Sequence, residues 1–324
     1  MLHLPGDLPG VPDPRRRKLR RSRAPLLLNF RQRRRRRPYA DTMPNRAGAL
    51  ALSTHPGPAV AVTAIAVILG IGVGLDVFRV VTLGLAVLLN QASVGLSNDW
   101  LDADRDRAVG RTDKPVARGD IGVKAARNAA FIAAATAIIL TVPLGWAATL
   151  AHTAFIASAW AYNLGAKGSV FSVVPYIVSF GILPLIVTLS REEPALASPW
   201  AVAAGALLGV AAHFANVLPD LEDDAATGIR GLPHRLGPRA VGLTIAGSLA
   251  AASLALVLGL GVATTPPWIA AIQYAGLALS LLLAVACAVL VLRGRGAKWM
   301  FRLIILGALI DVALLAMSGQ RLLA

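Results

Sequence analysis

Cysteine and acidic residues are scarce in this chain of 324 residues. The single cysteine, Cys287, excludes an intrachain disulfide and a metal site built from several cysteines. Charged residues make up only 15%, whereas hydrophobic residues reach 56% and the mean hydropathy is +0.64. This apolar share exceeds the roughly 45–50% of soluble domains, so the composition favours a membrane protein. A soluble nucleic-acid binder would carry the net charge of +15 on a polar surface, so we expect no nucleic-acid partner.

The basic residues are concentrated at the N-terminus. Residues 1–46 hold fourteen of the 32 lysines and arginines, only three acids and several prolines. Such a segment cannot bury a core, so it is predicted to be a disordered basic arm, with residues 47–324 forming the folded domain. The arm is suited to anionic lipid headgroups, which makes membrane lipids an expected partner. Met43 is an alternative start to Met1.

Apolar segments follow one another from His55 onward, separated by short polar breaks. A membrane-spanning helix needs about 20 apolar residues. Nine segments approach this length, at roughly 57–75, 80–97, 121–141, 145–162, 170–189, 199–218, 240–262, 268–292 and 299–318. The sequence therefore predicts an all-α integral membrane protein with about nine transmembrane helices.

The distribution of positive charge predicts how the chain lies in the membrane. If the arm is cytoplasmic, the alternate loops 98–120, 163–169, 219–239 and 293–298 lie on the same side. These loops and their flanks carry fifteen lysines and arginines, whereas the opposite side carries three. Positively charged loops remain in the cytoplasm, so we expect the N-terminus and these loops to be cytoplasmic, in a bacterial cell membrane.

Although acids are few, ten of the seventeen lie in two of these inner loops. If the second span continues as a helix, Asp99, Asp102 and Asp106 stand at positions i, i+3 and i+7 and share one face. Carboxylates at these spacings repel one another unless a cation lies between them. The spacing therefore predicts three carboxylates that converge on a cation.

The second inner loop repeats this arrangement. Asn216, Asp220, Asp223 and Asp224 stand at i, i+4, i+7 and i+8 and also share a helical face. All-oxygen ligands suit Mg²⁺, which takes one or two carboxylates per ion together with phosphate oxygens and water. The two loops thus predict a metal-bound phosphate or diphosphate.

The alternative interpretation is that the loop acids are solvated and balance nearby arginines. Two clusters at similar places after a span, in a chain poor in acids, weaken this alternative. It is retained for the three remaining acids of the first loop, Asp104, Asp113 and Asp120.

Basic residues stand close to both acidic clusters. Arg111, Lys114 and Arg118 follow the first cluster, and Lys167 comes five residues after Tyr162. Positive-inside topology is one explanation for them. A departing diphosphate also needs positive charge beyond its metals, which favours Arg111 and Lys114, with Lys167 as a third candidate.

These motifs carry a family resemblance over about residues 50–320. The segment from Asn98 to Asp106 resembles the first signature of the UbiA superfamily of intramembrane prenyltransferases, Asn-Asp-x-x-Asp-x-x-x-Asp. The segment from Asp220 to Gly237 resembles the second acidic motif and its continuation, although Gly231 stands where serine or threonine is common. Tyr162 followed by a lysine is similar to a third motif, with a spacing of five rather than four.

The resemblance implies a bundle of about nine helices around a central cavity, with cytoplasmic acidic loops, Mg²⁺ as cofactor and a prenyl diphosphate as substrate. The implied metal ligands are Asp99, Asp102, Asp106, Asp220 and Asp224. The residues expected to act on the departing diphosphate or the cation are Arg111, Lys114, Lys167 and Tyr162. The residues expected to bind substrate are Asn98, Arg118 and Asn216.

The implied reaction transfers a prenyl group to an aromatic or other lipophilic acceptor after metal-assisted ionisation to an allylic cation. The alternative is a terpene cyclase of the same family, which acts on its prenyl diphosphate without an acceptor. A transporter is less favoured, because the acids stand at the ends of spans rather than at mid-membrane depth. His213 and Asp311, which lie inside spans, are expected to make structural hydrogen bonds.

Overall fold

The computed structural model describes residues 46–226, 228–259, 266–293, 297–317 and 319–324. The described side chains do not include those at positions 220, 222, 223, 226, 297–302, 304, 305 and 320. Residues 1–45 of the predicted arm lie outside the described residues, so the disorder of the arm stays a prediction. Arg46, which that prediction included in the arm, is the first residue of a helix.

The described part of the chain is helical and contains no strand, only an isolated bridge between Ala197 and Leu323. In chain order the helices are α1 (Arg46–Leu52), α2 (Pro56–Gly72), α3 (Val77–Leu101), α4 (Ala103–Ala108), α5 (Pro115–Arg118), α6 (Val123–Thr141), α7 (Trp146–Leu164), α8 (Val174–Leu189), α9 (Pro199–Val217), α10 (Leu221–Ala226), α11 (Leu232–Gly259), α12 (Pro267–Leu292) and α13 (Ala297–Ala316). The all-α fold is therefore confirmed.

Local sequence explains where many of these helices begin. Proline stands in the first turn of α2, α5, α8, α9 and α12, where its missing N–H needs no partner. The Asp76 side chain accepts a hydrogen bond from the Arg79 N–H and caps α3. Gly237, with φ 78° and ψ 164°, interrupts α11, so its continuous part starts close to the predicted residue 240.

The long helices form a closed ring. Each of α2, α3, α6, α7, α8, α9, α11, α12 and α13 contacts the next in chain order, and α13 contacts α2 again. Every predicted apolar segment overlaps one of these helices. The ring brings the C-terminal ends of α3, α7 and α9 and the start of α11 to one end of the bundle, where the functional residues described below meet.

Fewer helices than nine satisfy the length and composition of a membrane span. Among the described residues, α3, α6 with the turn to Leu144, α9, α11 and α12 are long and apolar enough. The pair α1 and α2, bent by 61°, makes a sixth if it counts as one span, and α8 is apolar but shorter. The number nine, the central cavity and the cytoplasmic side of the loops stay predictions.

Glycine allows α8 and α9 to pack backbone against backbone. A Cβ atom at Gly205 would overlap the carbonyl oxygen of Phe180, and one at Gly209 would overlap that of Tyr176. Small residues permit such close approach in membrane bundles, where packing rather than water exclusion holds helices together. We refer to these contacts as the α8–α9 seam.

Three buried polar side chains form a hydrogen-bonded cluster between α11, α12 and α13. Asp311 of α13 accepts hydrogen bonds at 2.8 and 3.0 Å from the hydroxyl of Ser253 in α11, which also lies 2.7 Å from the hydroxyl of Ser280 in α12. All three side chains are buried. Asp311 thus has the structural hydrogen bonds expected for it, and it links three helices.

Candidate functional site

The first acidic loop folds so that its three predicted ligands are buried together. Helix α3 ends at Leu101, and Asp102, with φ −93° and ψ 0°, joins it to α4. Because these dihedral angles stay close to the helical region, the chain keeps nearly its helical path. Asp99, Asp102 and Asp106 are only 1%, 5% and 3% exposed. The three carboxylates lie at one site, although the predicted continuous helix is interrupted at Asp102.

Lys114 occupies the space between two of these carboxylates. Its Nζ atom lies 2.9 Å from Asp106 Oδ2 and 3.4 Å from Asp99 Oδ1, and it donates a hydrogen bond of 3.0 Å to Asn98 Oδ1. The contact with Asp106 is an ion pair without hydrogen-bond geometry. Lys114 is 8% exposed, so its charge compensates two buried negative charges at a place where water contributes little.

Asp102 is held by three other groups. Lys167 donates to Asp102 Oδ1, Arg105 Nη2 lies 2.7 Å from Oδ2, and the Asn98 amide donates to Oδ2 at 3.1 Å. Burial lowers the pKa of Lys167 below its usual value, while the Asp102 carboxylate acts in the opposite direction. The Asn98 amide also donates to Asn163 Oδ1 at 3.3 Å, which anchors the site to α7.

A histidine from the start of the bundle completes the surroundings of Asp99. The Nε2 atom of His55, between α1 and α2, lies 2.9 Å from Asp99 Oδ1. His55 stands 44 residues before Asp99, so no local spacing in the sequence indicates the contact. The sequence motifs did not indicate Asn163 either. The contact of Arg105 with Asp102 could have been inferred, because the two residues stand at i and i+3.

The two arginines predicted at this site pair with acids of the same loop, the exposed Asp113 and the half-buried Asp120. Arg111 donates from Nε and Nη2 to Asp113 at 2.9 and 2.8 Å, and these hydrogen bonds lower the pKa of Asp113 to about 2. Arg118 donates from Nε to Asp120 Oδ2 at 2.8 Å and from Nη1 to the Thr112 carbonyl at 3.0 Å. Of the basic residues predicted to act here, Lys114 and Lys167 touch the buried carboxylates.

The second acidic loop is described in part. The side chain of Asp220, a predicted metal ligand, lies outside the described residues. Asp224 Oδ2 lies 3.6 Å from Nε2 of His234, which stands at the start of α11. A Cβ atom at Gly231 would lie 2.5 Å from the Lys167 carbonyl oxygen, so glycine here lets the second loop pack against the backbone of Lys167.

Aromatic side chains lie beside both loops. Tyr162 lies in the last turn of α7 close to Lys167, which donates to Asp102 of the first loop and packs its carbonyl oxygen against Gly231 of the second. The Tyr162 ring meets the Tyr176 ring edge to face, with centroids 5.2 Å apart. Asn216, predicted to bind substrate, donates a hydrogen bond of 3.4 Å to the Tyr176 hydroxyl. These residues form an aromatic wall next to the carboxylates.

His213 packs behind this wall and makes a structural hydrogen bond. Its ring lies 5.7 Å from the ring of Tyr162 and 4.9 Å from that of Tyr176. The Ser172 hydroxyl, which accepts the Leu232 N–H at 3.0 Å, lies 3.1 Å from His213 Nε2. His213 therefore joins the wall to the start of α11.

Comparison with protein-family models shows the family to which the chain belongs. The model of the UbiA prenyltransferase family matches residues 59–306. The chain belongs to this family. The acidic loops and the lysines between them all fall within the matched residues, and the apolar helices of this UbiA family member are those of an integral membrane protein.

Solved structures of UbiA homologs share the fold. A UbiA homolog from Aeropyrum pernix K1 has a TM-score of 0.64 at 19% identity, covering 80% of this chain and 96% of that chain. One from Archaeoglobus fulgidus, bound to GPP and Mg²⁺, has a TM-score of 0.65 at 15% identity, covering 83% and 98%. A digeranylgeranylglyceryl phosphate synthase scores 0.63 at 13% identity, covering 86% and 99%. No curated protein matches the chain significantly.

The donor atoms at the site fit a hard divalent cation. Among the described side chains, no three acids or histidines are grouped so as to hold a metal by themselves. Yet Asp99 Oδ2 is buried and accepts no hydrogen bond from the described residues, and Asp106 Oδ2 is approached by the Lys114 ammonium group without a hydrogen bond. Buried carboxylate oxygens without donors are costly unless a cation approaches them, and oxygen ligands are those that Mg²⁺ prefers. The residues present therefore fit Mg²⁺.

Proposed function

We propose that this UbiA family member is a Mg²⁺-dependent membrane prenyltransferase that transfers a prenyl group from a prenyl diphosphate to an aromatic or other lipophilic acceptor. The observation that carries this proposal is the burial of Asp99, Asp102 and Asp106 around two lysines, at the end of an apolar bundle and beside an aromatic wall. The solved homologs bound to GPP or DMAPP with Mg²⁺ support it.

The carboxylates are the residues that would hold the metal. Asp99, Asp102 and Asp106 would act from the first loop, and Asp220 and Asp224 from the second. When bound, Mg²⁺ supplies positive charge that stabilises the leaving diphosphate. The contact of Lys167 with Asp102 and its packing against Gly231 support joint action of the two loops on one substrate.

The two lysines would bind the diphosphate from the protein side. Lys114 and Lys167 now compensate the carboxylates; with a metal held by those carboxylates, the two ammonium groups would be free to donate to phosphate oxygens. Charge-assisted hydrogen bonds of this kind are stronger than neutral ones. They stabilise the charge that develops as the bond between the allylic carbon and its oxygen breaks and the electron pair leaves with the diphosphate.

The aromatic wall would receive the allylic group. The negative faces of the Tyr162 and Tyr176 rings attract a cation, and the apolar surroundings exclude water that would capture it. The acceptor then forms a bond to the allylic carbon and loses a proton. Asn216, which donates to Tyr176, would fix the orientation of that ring.

The proposal is tested with purified protein, Mg²⁺ and a panel of prenyl diphosphates that starts with DMAPP and GPP. Diphosphate release and prenylated products are measured together, with and without aromatic acceptors. Asp99→Asn and Asp102→Asn are expected to lower the release rate by at least about 100-fold, because they weaken charge stabilisation of the leaving group. Asp104→Asn is the matched control, since the Asp104 side chain is 99% exposed and pairs with Arg107.

The same assay separates the competing reactions. A hydrocarbon product formed without any acceptor would overturn the transferase proposal in favour of the cyclase. If Asp99→Ala and Asp220→Ala both left Mg²⁺-dependent diphosphate release and prenyl transfer intact, the enzyme proposal would have to be abandoned.

We also propose that the acidic loops face the cytoplasm, since fifteen basic residues lie on their side and three on the other. Accessibility of cysteines placed at Arg107 and at Arg191, in a Cys287→Ala background, tests this orientation in intact cells. Labelling of the cysteine at 107 from outside would contradict it.

A further inference from the structure

His55 contacts a predicted metal ligand from outside both acidic motifs. Its Nε2 atom lies 2.9 Å from Asp99 Oδ1, and because a carboxylate only accepts, the histidine is the donor. The Asp99 side chain is 1% exposed, whereas that of His55 is 39% exposed. The imidazole therefore reaches from the surface of the bundle to a buried oxygen.

The backbone at His55 has an unusual conformation that brings the ring to this place. With φ 53° and ψ 65°, it is the one non-glycine residue with positive φ in the described part of the chain. This left-handed conformation is unfavourable for a residue with a Cβ atom and persists where the surrounding structure requires it. It lies at the 61° bend between α1 and α2.

A glycine in α3 provides the room for this bend. A Cβ atom at Gly95 would lie 2.5 Å from the Thr54 carbonyl oxygen, so the backbone before His55 rests directly on α3. Gly95 stands one helical turn before Asp99. The close approach and the left-handed turn together place the imidazole over the carboxylate.

The two oxygens of Asp99 then have different surroundings. Oδ1 is engaged by His55 at 2.9 Å and by Lys114 at 3.4 Å, whereas Oδ2 is buried and accepts no hydrogen bond from any described residue. Lys114 would turn to the diphosphate in the loaded enzyme, so His55 is the partner of Oδ1 that stays. Hydrogen bonds to ligand side chains orient them toward a metal and tune its affinity.

We propose that His55 is a positioning residue for Asp99: its hydrogen bond to Oδ1 fixes the carboxylate so that Oδ2 is presented to the divalent cation. This inference rests on the proposed function, since it takes Asp99 as a metal ligand. It extends the site to the bend before α2, so that the N-terminal end of the bundle takes part in metal binding.

Three variants of the full chain separate positioning from a merely structural role. His55→Gly removes the imidazole and suits the left-handed backbone, His55→Gln keeps an N–H donor at similar reach, and Thr54→Ala removes only the hydrogen bond from Thr54 Oγ1 to the Ala51 carbonyl. The readout is the rise of the thermal unfolding temperature with Mn²⁺ or Mg²⁺ concentration. Diphosphate release from GPP at saturating metal is measured alongside.

In His55→Gly the half-saturating metal concentration is expected to rise by about 10- to 100-fold, the usual effect of losing such a partner, while the unfolding temperature without metal changes little, because relief of the left-handed strain offsets the lost hydrogen bond. His55→Gln is expected to restore most of the affinity, and Thr54→Ala to keep all of it. Release at saturating metal should recover in His55→Gly, because the ligands themselves are present.

Several outcomes would overturn the inference. Unaltered metal affinity in His55→Gly, or an equal loss in Thr54→Ala, would show that the hydrogen bond to Asp99 does not position the ligand. The proposed function fails in a different way: the unaltered chain would then show no metal-dependent stabilisation and no diphosphate release, and the role of His55 would fall with it.

Discussion

Replacing Lys114 with methionine removes a positive charge from between two buried carboxylates while keeping a side chain of similar length. In the metal-free protein, Asp99 and Asp106 would be left with no ammonium between them. Bound Mg²⁺ would supply the missing charge. The variant should therefore lose stability mainly when metal is absent.

The distances give the size of the effect. At an effective dielectric constant of about 20, the 2.9 Å and 3.4 Å separations correspond to attractions of about 6 and about 5 kcal/mol. The desolvation of the ammonium group offsets a large part of this sum, and removal of one partner from a buried ion pair costs about 3–5 kcal/mol. For a chain of this size that loss lowers the unfolding temperature by roughly 5–7 °C.

The assay is thermal unfolding of the purified protein in detergent, in EDTA and in saturating Mg²⁺. Lys114→Met is expected to unfold roughly 5–7 °C below the unaltered chain in EDTA, with the difference reduced to less than half in Mg²⁺. Arg107→Met is the matched control, because its partner Asp104 is 99% exposed and an exposed pair contributes little.

Two results would refute this account. Equal destabilisation with and without Mg²⁺ would show that Lys114 acts by packing rather than by charge. No destabilisation in EDTA would show that the two carboxylates need no compensation by the Lys114 ammonium group.

Other regions of the molecule give three further predictions. Gly231→Ser should slow diphosphate release, because the new Cβ atom would lie 2.5 Å from the Lys167 carbonyl oxygen, whereas Gly247→Ser, with open space around it, should not. Asp113→Asn should lower the unfolding temperature slightly at pH 6 but not at pH 2. The native pKa of Asp113 is lowered from 3.8 to about 2, so the contribution of its pair with Arg111 is present above pH 3.8 and disappears as the pH falls through about 2. A chain that starts at Met43 should keep its activity, and complete loss would show that the arm does more than bind lipid.

The first acidic cluster could be predicted because its geometry is local. The spacing of Asp99, Asp102 and Asp106 determines their common side over two helical turns, and the break at Asp102 is too small to separate them. The long helices could be predicted for the same reason, since each corresponds to one apolar stretch of the sequence. The number of spans does not follow from apolar stretches alone, because α2 and α8 are shorter than a full span and α1 joins α2 through a bend.

The contacts of the basic residues could not be predicted from sequence spacing alone. Arg111 and Lys114 stand three residues apart, and the sequence predicts the same role for both. In the structure, Lys114 turns toward the buried carboxylates, whereas Arg111 pairs with the nearby Asp113. Only the path of the loop between α4 and α5 separates them. The contact of His55 with Asp99 depends in turn on a left-handed residue and on the room left by Gly95, neither of which a spacing rule contains.

The α8–α9 seam limits how this enzyme can change its substrates during evolution. Gly205 and Gly209 let the backbones of the two helices touch, so the helices cannot approach further, and any larger residue at either glycine would push them apart. Tyr176 on α8 and Asn216 on α9 are thereby held at a fixed separation. New substrate preferences should therefore arise by substitution of side chains such as Phe180, which stacks parallel to Tyr176, rather than by sliding of helices. Directed evolution toward longer or shorter prenyl groups should accumulate changes there and leave both glycines untouched.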